Sequence, residues 1–135
     1  MAIQQTFPNR QIYRDFDLNF TMNPLTKDIG VKTDANAIIQ SVKNLINTNY
    51  YERAFNPSIC CNIRSLLFKQ SDIITRMDLK QAIVQTLSKN EPRIKIQKII
   101  VTDLSNKNAY NVKLIFNISN SNIVHNIDLT LKRLR

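Results

Sequence analysis

Apolar and polar residues along this chain follow two different periods, and the change from one to the other falls near residue 91. From Asp34 to Thr48 the period is helical. Ile38, Val42, Leu45 and Ile46 fall on one face, Ala35 and Ile39 widen it, and Lys43 and Asn44 lie opposite. Thr33 or Asp34 can cap the first turn by accepting from free backbone N–H groups. A short apolar helix is predicted from Ile63 to Phe68. A third helix is predicted from Thr75 to Ser88, with Thr75 and Asp78 at capping-box spacing and Leu79, Ala82, Ile83 and Leu87 inward. Residues 49–61 read as a loop anchored by Tyr50, Tyr51 and Phe55 and stiffened by Pro57.

Beyond Pro92 the period becomes two. Ile94 to Leu104 is strand-like, and its apolar positions switch phase between Ile96 and Ile99, which predicts a bulge or a late strand start. Tyr110, Val112, Leu114, Phe116 and Ile118 share one face of a second strand; Ile127, Leu129 and Leu131 share one face of a third. The links at 105–108 and 120–122 are short and rich in turn residues. Near the other end, the alternation of Phe16, Leu18 and Phe20 predicts a short strand within 14–20, closed by a turn at Asn23-Pro24. Residues 1–13 are expected to form an extended arm. The predicted fold is α+β, with about three helices on one face of a three-stranded antiparallel β-meander and a short N-terminal strand, as one domain over 1–135.

Composition narrows the function classes. The 135 residues suffice for one core, and a hydrophobic content of 43% is that of a folding chain. Gly30 is the single glycine, which excludes the phosphate-cradling loops that need several. No apolar run approaches the ~20 residues of a membrane span, and residues 1–10 lack a signal-type apolar core. These features predict a protein made in a cytoplasm and used or assembled there, with no membrane partner. The net charge of +9 suits an acidic partner. The basic residues are spread from Arg10 to Arg135, with a tight cluster only at Lys132, Arg133 and Arg135, and nucleic-acid modules concentrate theirs. A nucleic-acid-binding module is therefore the weaker reading.

The junction between the two periods is Glu91-Pro92-Arg93. Pro92 fixes its own φ and pushes Glu91 out of helical geometry, so the third helix must stop before it. A rigid corner flanked by two opposite charges suits docking to a partner. It is a poor catalytic pair, because the guanidinium keeps the carboxylate ionised and weakly basic. Glycoside hydrolysis needs two carboxylates, one of raised pKa. The two glutamates, Glu52 and Glu91, each stand near an arginine, Arg53 and Arg93, which predicts lowered values instead. Cys60 and Cys61 are adjacent and read as free thiols. His125 is the single histidine and reads as an edge-strand residue that does not pair with Asp128. No catalytic residue, metal site or cofactor is expected. An open edge of the meander, by contrast, can accept a strand from another chain.

Several motifs then occur in a fixed order. Phe20-Thr21-Met22-Asn23-Pro24-Leu25-Thr26-Lys27-Asp28 is followed by Ala37-Ile38 and Ser41-Val42-Lys43-Asn44-Leu45-Ile46-Asn47-Thr48. Glu52-Arg53-Ala54-Phe55-Asn56-Pro57, Leu66-Leu67-Phe68 and Asn90-Glu91-Pro92-Arg93-Ile94 complete the series. This order resembles the baseplate wedge and sheath-initiator family of contractile phage tails, also found in type VI secretion baseplates. The chain departs from the family pattern at Tyr51 and Cys60, where glycine is usual.

The resemblance implies a structural protein of the virion baseplate, assembled in the host cytoplasm, close to the tail tube and present in six copies. It implies that Glu91, Pro92 and Arg93 dock on the core bundle of the wedge. It also implies that the strands carrying Val101, Val112, Leu114, Phe116, Ile127, Leu129 and Leu131 template the first sheath ring by strand addition. An old family label, lysozyme, leaves a hydrolase as the alternative.

Overall fold

A computed structural model describes residues 13–119 and 123–133. The extended arm expected over 1–13 lies, apart from Tyr13, outside the described residues, as do the predicted turn at 120–122 and Arg135. The elements are β1 (Arg14–Phe16), β2 (Val31–Thr33), α1 (Asp34–Asn47), α2 (Ile63–Leu67), α3 (Ile73–Asn90), β3 (Ile94–Leu104), β4 (Ala109–Ile118) and β5 (Val124–Lys132). The α+β class is as predicted, but there are two sheets rather than one meander: β1-β2 and β3-β4-β5, both antiparallel. Two compact units, 1–40 and 41–135, divide the chain within α1. Each is described by itself.

In the first unit β1 is three residues long, shorter than the alternation over 14–20 predicts, and it pairs with the unpredicted β2. Phe16, Leu18 and Phe20 are exposed, so their alternation does not mark a buried face. Phe20 has a positive φ of 53° that breaks the strand geometry outright. The chain between the strands is held by Asp17. Its carboxylate accepts from Thr21 Oγ1 at 2.7 Å and from the Asn19 N–H at 3.1 Å, and it pairs with Lys32 at 3.1 Å. These contacts, the Thr21 hydroxyl first, lower its pKa to about 2. Close approach favours glycine at position 30: a Cβ would sit a tight 3.1 Å from the Thr21 carbonyl oxygen, to which the Gly30 N–H donates. Gln40 of α1 is buried and clasps the end of β1, donating to the Phe16 carbonyl at 2.7 Å.

The second unit holds the larger core. Val42, Leu45 and Ile46 of α1 are buried, with Lys43 and Asn44 exposed, as the helical period predicts. The third helix begins earlier than predicted. Asp72 stands at the N-cap, and Thr75 is a buried residue inside the helix whose hydroxyl donates to the Gln70 carbonyl at 2.9 Å. Asp78 pairs with Lys69 instead of completing a capping box. Leu79, Ile83 and Leu87 are fully buried, and α3 lies along β3. The bulge is where the phase change puts it, between Ile96 and Lys98, leaving Gln97 without a partner on β4. Tyr110, Val112, Leu114, Phe116 and Ile118 on β4 are all buried.

The loop over 49–61 overturns one expectation. Tyr50, Tyr51 and Phe55 are not anchors but exposed, Phe55 completely. The loop is braced by Glu52, which accepts from the Asn49 backbone N–H at 2.8 Å and its side-chain amide at 2.7 Å, and by Cys61, whose N–H donates to the Thr48 carbonyl at 3.0 Å. Tyr51 and Phe55 take positive φ values of 64° and 65°. The backbone at Tyr51 thus keeps a conformation that favours glycine, and the side chain carries the strain. Tyr51→Gly is expected to raise the unfolding free energy by about 0.5 kcal/mol, since relief of the left-handed penalty exceeds the added freedom of the unfolded chain. Tyr51→Ala, which keeps a Cβ, should not show this gain. Urea midpoints of the three proteins check it.

Candidate docking site

The corner after α3 is built as its residues dictate. Glu91 leaves helical geometry at φ −130° and ψ 76°, while its N–H still bonds the Leu87 carbonyl. The Arg93 carbonyl accepts from the Ser119 N–H at 2.8 Å, which ties the corner to the end of β4. Pro92 is exposed at the tip. Glu91, however, is only 2% exposed. Its carboxylate accepts from Arg93 Nε at 2.5 Å and from an Arg93 terminal nitrogen at 2.7 Å. Ser41 of α1 donates a further bond at 2.6 Å. Burial alone would raise the Glu91 pKa, but the hydrogen bonds from Arg93 and Ser41, with the guanidinium charge, leave it lowered. The corner therefore does not present two free charges. Glu91 serves as an internal brace that fixes the half-exposed Arg93 beside Pro92.

The residues predicted to template a partner strand occupy three different positions. Val112, Leu114 and Phe116 sit on the central strand β4, which is hydrogen-bonded on both sides and has no edge to offer. Ile127 and Leu131 on β5 are buried, and Leu129 is half-buried between them. Val101 on β3 is half-buried and opposite Val112. All seven side chains thus belong to the interior or its margin. Among the described residues β3 and β5 pair only with β4, so each has one unpaired edge, and any strand addition must use backbone groups there.

The groups considered for chemistry are spent on structure. Glu52 has a lowered pKa as predicted, but the cause is Asn49, whose side-chain and backbone bonds dominate, with a smaller effect of Arg64 rather than Arg53. Both glutamates are thus acidified, opposite to the need of a glycosidic general acid. Cys60 and Cys61 are buried free thiols, and burial pushes the Cys61 thiol up against an opposing bond with Thr86. His125 lies on the edge strand β5 opposite Phe116, with ring centroids 6.0 Å apart. Among the described residues no three His, Cys, Asp or Glu side chains group as metal ligands do, and no helix is long and apolar enough to cross a membrane.

Residues 32–126 match the baseplate wedge protein gp25 family, and the chain belongs to that family, whose members are structural components of contractile-tail baseplates. Three solved structures share the fold. A chain of the anti-feeding prophage baseplate has a TM-score of 0.72 at 15% identity, over 82% of this chain and 88% of that one. A candidate tail lysozyme from Geobacter sulfurreducens has 0.68 at 17%, over 73% and 89%. A chain of the postcontracted pyocin R2 baseplate has 0.60 at 15%, over 73% and 97%. No curated protein matches the sequence.

Proposed function

We propose that this chain is a non-enzymatic adaptor of a contractile-tail baseplate, working as one domain over 1–135. It joins the wedge core bundle through the Glu91-Pro92-Arg93 corner and recruits the first sheath ring by strand addition at an open edge of the β3-β4-β5 sheet. The observation that carries the reading is the family match over residues 32–126, which spans the corner, β3 and β4. The buried brace on Glu91 supports it physically, since a fixed Arg93 loses little freedom on binding. The acidified Glu52 and Glu91 speak against the hydrolase alternative, and the scattered lysines and arginines against a nucleic-acid module. In this reading the protein is assembled in the host cytoplasm, six copies enter each particle, and the +9 surface lies near the tail tube.

The test is incorporation. Arg93→Ala also leaves the buried Glu91 without its cation, so recovery in purified particles is scored per folded protein, with thermal unfolding measured beside it. On that scale Arg93→Ala is expected to fall by roughly tenfold or more, the loss associated with removing a central interface arginine. Normal recovery of the folded fraction would remove the role assigned to the corner.

A further inference from the structure

Beside the corner, a groove of about 550 Å³ opens between α3 and β3. On the helix it is lined by Lys80, Val84 and Ser88, spaced four apart and so on one stripe. On the strand it is lined by Lys95, Ile96 and Lys98, with the bulged Gln97 between them. Pro92 also lines it. The bulge explains the opening, because the extra residue bends β3 and increases its local twist.

Three observations define what fits. Lys80, Lys95 and Lys98 are exposed, and among the described residues none has an ion-pair partner. The one carboxylate in the lining, Glu91, is already bonded by Arg93 and Ser41. The groove thus carries three uncompensated positive charges beside the partly exposed aliphatic side chains of Val84 and Ile96, with the buried Ile94 and Ile99 behind them. No aromatic side chain lines it, and single-stranded nucleic acid is held by stacking on such rings. The exposed apolar residues of the β1-β2 hairpin lack comparable charge, so nothing identifies what would cover them.

We propose that this groove receives an acidic amphipathic segment of a neighbouring baseplate chain. Its carboxylates meet Lys80, Lys95 and Lys98, and its aliphatic side chains enter over Val84 and Ile96. The proposal rests on the baseplate reading above and names the chemistry of the partner next to the corner. Complementary charge of this kind sets encounter rate and register, and it penalises wrong partners through like-charge contact.

The experiment uses assembled particles treated with a carbodiimide, which joins a lysine amine to a touching carboxylate with loss of water and leaves no spacer. Lys80, Lys95 and Lys98 are expected to be recovered as amides with Asp or Glu of another chain, and to resist acetylation in the particle but not in the free protein. Lys95→Glu/Lys98→Glu is expected to enter particles at least ~30-fold less well, because like charges then face each other. The Lys95→Gln/Lys98→Gln protein should lose only a few-fold. If this chain is present in particles but the three lysines acetylate freely and form no amides, the groove assignment fails and the baseplate reading stands. Protection that nuclease removes would overturn it in favour of nucleic acid. Absence of the chain from particles would overturn both.

Discussion

Replacing Glu91 with alanine is expected to lower the unfolding free energy by about 2–3 kcal/mol, less than for a wholly buried ion pair because Arg93 can still reach water. Glu91 is 2% exposed, and its two oxygens accept from Arg93 twice and from Ser41 once. Alanine leaves the Ser41 hydroxyl and the inner face of the guanidinium without that acceptor. It also releases the turn joining α3 to β3. Glu91→Gln keeps the shape and one acceptor, so its cost should be smaller. The two proteins also separate with pH. The Glu91 pKa is lowered in the folded state from an ordinary 4.5. Its contribution is therefore complete above the unfolded value and fades as the pH falls through the folded one. Wild type should progressively lose its advantage over Glu91→Gln as the pH falls from neutral to below the ordinary carboxylate value of 4.5. Urea unfolding of both proteins across that range checks the sign; parallel curves would mean that the carboxylate is not held in its charged form.

This brace shows which part of the site was legible in the sequence. That Pro92 ends the helix and that Arg93 keeps Glu91 ionised both follow from local sterics and adjacency. Burial of the pair does not, because the third member, Ser41, is 50 residues away. Residue types at the corner therefore suggested two surface charges where the fold makes one internal clamp and one presented guanidinium. The groove beside it was only half legible. The phase change from Ile96 to Ile99 left a bulge and a late strand start as alternatives, of which the bulge is found, but nothing in the strand alone says that Lys80 and Val84 would stand across from it.

The same division runs through the fold. Where apolar residues keep one period over ten or more positions, as over Asp34–Asn47 and Ala109–Ile118, the helix α1 and the buried face of β4 lie where expected. The short helix α2 ends one residue before its predicted end, whereas the short N-terminal strands were missed or misplaced for physical reasons. Val31–Thr33 is too short to show a period, and Phe16, Leu18 and Phe20 alternate without a core to face. At the start of α3, exposed Ile73, Ile74 and Met77 blur the buried stripe, so a capping-box spacing at Thr75 looked like the better start. In the loop, aromatic residue types suggest anchors, whereas Tyr51 and Phe55 stand at positive φ with their rings in solvent.

Phe116→Ala is expected to destabilise the protein by about 3–5 kcal/mol, the range for removing a buried aromatic side chain and leaving a cavity. Phe116 has no exposed surface, lies on the central strand, and faces His125 across the β4–β5 pair. Neighbours fixed by hydrogen bonds on both sides of β4 have little freedom to collapse into the space. For a domain of this size such a loss is a large part of the total stability. This consequence bears on function. A failure of Phe116→Ala, or of Val112 and Leu114 variants, to support sheath assembly would report unfolding, not loss of a templating contact. Strand addition should instead respond to changes along the open edges of β3 and β5 that leave the melting temperature alone. Thermal unfolding of Phe116→Ala beside the exposed edge-strand variant Thr130→Ala separates the two: a deep fall for the first and less than about 1 kcal/mol for the second. Comparable losses in both would mean that β5 is not a solvent-facing edge of this sheet.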